Sequence, residues 1–150
     1  MITDWRKAEI DKAIEELRLH FRTTHERITL VTILQQFEAF PSPDPRLPSG
    51  LACFINHTRE LQYHPDIPVE DLAKSIGYLA LGYDTQDPRA MPRQYRGLAA
   101  LEDRPAAREA KLARMEQDCD YFAGQFIAKY HGVQWQVFSG RELAAAWRGR

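Results

Sequence analysis

No stretch of this chain comes near the roughly 20 consecutive apolar residues that a bilayer-spanning helix needs, and no charged leader precedes an apolar run. A soluble, cytoplasmic protein is the expectation. Cysteine is scarce: Cys53 and Cys119 are the only two in 150 residues, too few for a disulfide framework. Each sits within an apolar pattern, so two buried free thiols are expected rather than a bridge. An excess of one charge sign is lacking as well, since 20 Lys and Arg against 21 Asp and Glu leave a formal net charge of −1. With the signs interspersed, no basic surface covers the whole molecule, and non-specific phosphate binding is disfavoured, although a local patch stays open. No Gly-rich phosphate loop, Cys-x-x-Cys pair or EF-hand pattern is present, nor any internal repeat or low-complexity tract. What the chain does hold is core material. Hydrophobic residues make up 44% and aromatics 11%, enough for one packed domain over residues 1–150.

Hydrophobic spacing places the elements. Ile10, Ile14, Leu17 and Phe21 step by i, i+4, i+7 and i+11 on a first helix that Asp4 can cap. Thr29 opens a shorter helix through Phe37, with Leu30, Ile33, Leu34 and Phe37 inward. Residues 39–48 contain four prolines, and each removes an amide donor and pushes its predecessor to extended geometry, so a loop is expected. Residues 51–55 form a short apolar run that reads as a buried strand, and residues 57–68 as a turn or an edge strand. Pro68 suits the first turn of the next helix, where Glu70 and Asp71 complement the dipole. Its inward stripe is Leu72, Ile76, Leu79 and Tyr83. Residues 84–104, rich in Pro, Arg, Asp and Gly, read as a surface excursion. Asp103 and Pro105 start the longest helix, whose apolar positions are Leu112, Met115, Cys119, Phe122, Phe126 and Tyr130, up to Gly132. Val133, Trp135 and Val137 alternate with glutamines as in an extended segment. A capping box from Ser139 to Glu142 announces a last short helix through Trp147. The fold class is α+β: a mainly helical single domain with a small β-sheet.

Residues 72–83 read LAKSIGYLALGY, and residues 116–126 read EQDCDYFAGQF. The first is similar to the LAHELGHLLLGH segment of the ImmA/IrrE family of zincin-like metallopeptidases. The second resembles the E-x-x-A-[ND]-x-F-A-x-x-L segment that follows it there. Matching positions are Leu72, Ala73, Gly77, Leu79, Leu81 and Gly82, then Glu116, Asp120, Phe122 and Ala123. The strand of residues 51–56 also stands where the family has a strand reading I-x-x-N. In a zincin helix two His at i and i+4 ligate one Zn²⁺, with a Glu between them as general base. Here those positions hold Lys74, Ser75 and Tyr78, none of which offers a neutral imidazole or a carboxylate. Only Glu116 matches a residue type the family uses as a ligand, and one carboxylate cannot close a tetrahedral site. The resemblance implies a zincin-like core over residues 28–131, preceded by an N-terminal helix over residues 1–27 and followed by an extended segment and short helix over residues 132–150. It also implies a small protein of phages, mobile elements or stress loci, whose active relatives cleave helix-turn-helix repressors.

A copy without ligands should keep binding and lose cleavage. The expectation is therefore a pseudoenzyme with no catalytic residue, no metal and no cofactor. It engages a regulatory protein partner, such as a repressor, through the former cleft and the loop 84–104. Tyr83, Arg89, Arg93, Tyr95 and Arg96 are the candidate partner contacts. In the former metal site, Lys74 is expected to pair with Glu116 so that no buried carboxylate is left alone, and Tyr78 and Tyr83 to fill the volume of the lost metal. Alternatives remain. A hydrolase could use an unconventional site at Ser75, Tyr78 and Glu116, although a Ser-Glu pair lacks a good base and Lys74 projects about 100° away from Ser75 on the helix. A metal site could be rebuilt from His57, His64, Cys53 or Cys119 with Glu116, Asp118 or Asp120. The loop arginines, or the tail residues Arg141, Trp147, Arg148 and Arg150, could serve a nucleic-acid-binding or structural domain.

Overall fold

Helix α1 (Asp4–Thr24) buries Ile10, Ile14, Leu17 and Phe21 along one side, the four positions its spacing singles out. It belongs to a computed structural model that describes residues 2–86, 105–130 and 132–135. Its cap is Thr3 rather than Asp4: Thr3 Oγ1 accepts from the Arg6 amide at 3.2 Å. Asp4 lies one position inside, where its charge suits the helix dipole. Helix α2 (Leu30–Gln35) opens on a reciprocal cap. Thr29 Oγ1 accepts from the Thr32 amide at 3.1 Å, and Thr32 Oγ1 accepts from the Thr29 amide at 2.9 Å. The helix stops at Gln35, short of Phe37.

The proline-rich stretch is not wholly a loop. Phe40–Pro43 is strand β1, which joins β2 (Ala52–Ile55) and β3 (Glu60–Tyr63) in a sheet of order β1-β3-β2. Strand β1 runs parallel to β3 and β2 antiparallel to it. The amides of Phe40 and Asp44 donate to the carbonyls of Arg59 and Tyr63, each at 2.9 Å. Even positions therefore face β3, and Pro41 and Pro43 fall at odd positions whose missing N–H would point away from the sheet. An edge strand tolerates proline in just that register. Strand β3, expected at most as an edge, is the central strand because two partners flank it.

Helix α3 (Val69–Ala80) buries Leu72, Ala73, Ile76, Gly77 and Leu79. Gly82, at φ 75°, turns the chain from α3 into the short helix α4 (Tyr83–Gln86), a left-handed position that glycine occupies without a Cβ clash. The long helix α5 (Pro105–Lys129) packs along α3, with α1 on another side of α5 and the sheet against α3 through β2. The α3–α5 approach is close enough that a Cβ at Gly77 would lie 2.8 Å from Phe122 Cδ1. Phe122, Phe126 and Tyr130 form a stacked aromatic ladder down α5, closed at one side by the edge of Trp135. Gln134 ties that end to α2: the Leu30 amide donates to its carbonyl at 2.9 Å, and its own amide to Ile28 O at 3.0 Å. The expected extended segment is thus a single bridge among the described residues. Among them, too, no helix is long and apolar enough to cross a membrane. Residues 87–104 and the short helix expected after Ser139 lie outside the described part.

Candidate functional site

A cleft of about 860 Å³ opens between β2, α3 and α5. Its apolar lining is Phe54, Leu61, Tyr78, Leu112 and Met115, and Lys74, Ser75, His57, Glu116 and Asp120 supply polar groups. Every residue from Ala52 to His57 borders it. Successive side chains on a strand point to opposite faces, so β2 meets the cleft along its edge as well as by one face. The register says which backbone groups lie on that edge. The His64 amide donates to Leu51 O at 3.2 Å, which turns positions 51, 53 and 55 toward β3 in an antiparallel pair. The N–H and C=O of Ala52 and Phe54 point outward.

Lys74, Ser75, Tyr78 and Glu116, the four positions singled out by the motif resemblance, all line this cleft, with a different pairing from the expected one. Lys74 Nζ lies 3.1 Å from Asp120 Oδ1 and 3.7 Å from Asp71 Oδ1, and no ion pair joins it to Glu116 among the described residues. Asp120 stands one helical turn beyond Glu116 on α5, and the Lys74 stem reaches that turn instead. The hydrogen bond to Asp120, opposed by modest burial, holds the ammonium above the usual lysine range. Glu116 is exposed, and among the described residues no hydrogen bond or counter-ion meets its carboxylate. Ser75 Oγ donates to the Asp71 carbonyl one turn back at 3.1 Å. Its proton is thereby spent on helix backbone, and none of the described residues stands as its base. Tyr78 lines the cleft, with its ring edge-on to Phe54 at 6.3 Å between centroids.

Tyr83, expected as a partner contact, is turned inward. It is 8% exposed, with its hydroxyl held between Arg6 and Asp118: Arg6 Nη2 donates to it at 2.6 Å, and it donates in turn to Asp118 Oδ2. Arg6 also reaches Asp118 through Nε at 3.0 Å and Glu9 through Nη1 at 2.9 Å. Burial opposes the guanidinium charge, but hydrogen bonds to Glu9 and Asp118 more than offset it and hold Arg6 above its ordinary range. Burial, together with the hydrogen bond to Asp118, pushes the Tyr83 phenol up to about 12. Asp84, expected at the head of a surface loop, is likewise buried. Arg59 Nη1 donates to its carboxylate at 2.8 Å and Asn56 Nδ2 to its carbonyl at 2.8 Å, while Arg59 Nη2 donates to Phe37 O at 2.6 Å. One guanidinium thus fastens the end of α2, the β2–β3 turn and α4 together, and fixes the rim of the cleft.

The metal candidates do not converge. Among the described residues no three His, Cys, Asp or Glu side chains come together in an arrangement that could hold a metal ion. His64 Nδ1 accepts from the Asp66 amide at 3.0 Å within its own turn, whereas His57 is exposed on the cleft rim. Cys53 is exposed rather than buried: its backbone groups face β3, and its side chain leaves the sheet on the face opposite to those of Ala52 and Phe54. Cys119 is buried as expected. Burial and then the nearby Asp118 and Asp120 charges push its thiol up to about 12, which leaves it protonated and unreactive near neutral pH. Arg89, Arg93, Tyr95 and Arg96 lie outside the described residues, as do Arg141, Trp147, Arg148 and Arg150. Comparison with known proteins finds no matching family model, no matching curated protein and no matching solved structure.

Sequence reasoning missed Asp120 as the lysine's partner, although its place four residues after Glu116 was the available signal, since such positions share a helix face. Arg6 and Arg59 carried none. The fold brings the buried carboxylates of Asp118 and Asp84 to them.

Proposed function

We propose that this chain is a catalytically inactive, zincin-like relative of the ImmA/IrrE peptidases, of phage or mobile-element origin, that binds a regulatory protein, a transcriptional repressor, in the cytoplasm. The observation that carries this reading is the open edge of β2 on the cleft. The N–H and C=O of Ala52 and Phe54, without a partner among the described residues, offer a ladder to an extended segment of a partner, and Phe54, Tyr78, Leu112 and Met115 offer apolar seats for alternate side chains. The motif positions support inactivity. Lys74 is neutralised by Asp120, Ser75 is bonded to backbone, and Glu116 stands without an imidazole beside it.

Titration calorimetry with a purified helix-turn-helix repressor tests the reading. Binding is expected, with the repressor recovered at full mass afterwards. Two variants locate it. Tyr78→Arg fills the cleft, and Ala52→Pro removes one outward donor without touching the β3 ladder; both should abolish binding while circular dichroism stays unchanged. Cleavage of the repressor would overturn the inactivity, and binding indifferent to both variants would overturn the use of the cleft.

A further inference from the structure

Resting on that reading of the cleft, we infer that the partner segment carries a lysine or arginine side chain that seats against Glu116. The charges along the described walls point there. The one lysine on the cleft has its charge met by Asp120 at 3.1 Å and by Asp71 at 3.7 Å, so that three-residue cluster keeps a net negative charge. Glu116 adds a second negative charge without a counter-ion or hydrogen bond among the described residues. His57, the remaining nitrogen-bearing titratable side chain on the described wall, sits exposed on the β2 side of the cleft, and no ion pair joins it to Glu116 among the described residues. Among the described residues the walls therefore present a carboxylate without a counter-ion beside the apolar Leu112 and Met115.

Such a site attracts a side chain with a long aliphatic stem and a cationic head. The stem covers Leu112 and Met115, the neighbours of Glu116 on α5, and the head reaches the carboxylate. An acidic side chain in the same place would face Glu116 and Asp120 together and be repelled. An aliphatic one would fill the floor and leave Glu116 hydrated, so it gains only the apolar part. The strand edge supplies affinity and Glu116 sets the preference, which separates this inference from the general use of the cleft.

Fluorescence anisotropy with four labelled peptides of sequence Val-Thr-Xaa-Thr-Val, where Xaa is Lys, Arg, Gln or Glu, reads this directly at low and physiological salt. Lys and Arg peptides should bind about tenfold tighter than the Glu peptide, a gap that shrinks as salt screens the charges. Glu116→Gln should collapse the gap to less than about threefold, and Glu116→Lys should invert it. Glu116 is exposed, and unchanged thermal unfolding of both variants shows that the effect is not loss of fold. Four equal affinities, all lost in Tyr78→Arg, would overturn the charge preference and leave the cleft as a binding site. No binding by any peptide, or binding that survives Tyr78→Arg, would overturn both.

Discussion

The two sides of α3 are built from the same twelve residues and obey different rules. On the side toward α5, Ile76, Gly77 and Leu79 pack so closely that Phe122 occupies the space a side chain at 77 would need. On the cleft side, one or two positions away, Lys74, Ser75 and Tyr78 face a space that the surrounding elements do not fill. The packed side is where side chains were selected by volume, and small changes there are costly. The open side is where identity matters for what can be bound, and changes there should leave stability nearly untouched. A helix that supports a binding site needs both, because the rigid seam is what holds the cleft walls in place.

The contrast can be broken most severely from the packed side. Phe126→Ala should cost about 3–5 kcal/mol in denaturant unfolding, since it removes the central ring of the α5 ladder and leaves a cavity against Tyr130 and Trp135. Asp118→Ala should cost about 2–3 kcal/mol, because it leaves the half-buried Arg6 without its carboxylate and the Tyr83 hydroxyl without its acceptor. Raised phenols set an alkaline limit. Tyr83 and Tyr63 have folded values raised to about 12, above the unfolded phenol at about 10. The stability they contribute is therefore complete below about pH 10 and is lost as pH rises through their folded values. Thermal midpoints should fall across that window, and Tyr83→Phe should flatten part of the fall.

Gly77→Ala sits in the middle. The added methyl gains helix propensity but meets the Phe122 ring and its Cβ, so a net loss of about 1–2 kcal/mol is expected in urea. A neutral or stabilising result would mean that the α3–α5 seam gives way, and the comparison between the two sides would lose its basis. Lys74→Ala closes the series with less than about 1 kcal/mol, because its pairs with Asp120 and Asp71 are solvent-exposed. A loss as large as that of Asp118→Ala would show that the cleft charges hold the fold.

Much of the packed side was legible beforehand. The stripes of α1, α3 and α5 are periodic enough that Ile10, Leu72, Phe122 and their companions could be placed inward from spacing alone. Strand β1 was not, because four prolines in residues 39–48 outweigh a short apolar start in any local reading. Only the register against β3 shows that Pro41 and Pro43 face the free edge. On the cleft side the positions Lys74, Ser75, Tyr78 and Glu116 could be gathered from a motif resemblance, yet the lysine's partner could not. Asp120 and Glu116 are both within a turn of each other, and the choice depends on how α3 is set along α5. Tyr83 illustrates the same point from the other direction: its place on the inward stripe was readable, and its hydrogen bonds with Arg6 and Asp118 were not.

The sequence by itself determined the class of fold, the helices with regular apolar spacing, and the absence of an imidazole at Lys74 and Tyr78. Those follow from local periodicity and residue chemistry, which need no knowledge of distant neighbours. Tertiary structure alone decided that β3 is central, that Arg6 and Arg59 are fasteners, that Lys74 joins Asp120, and that Glu116 has no cation beside it among the described residues. Each of these depends on contacts between residues far apart in the chain, whose register is set by the packing of whole elements and is not written in any one of them.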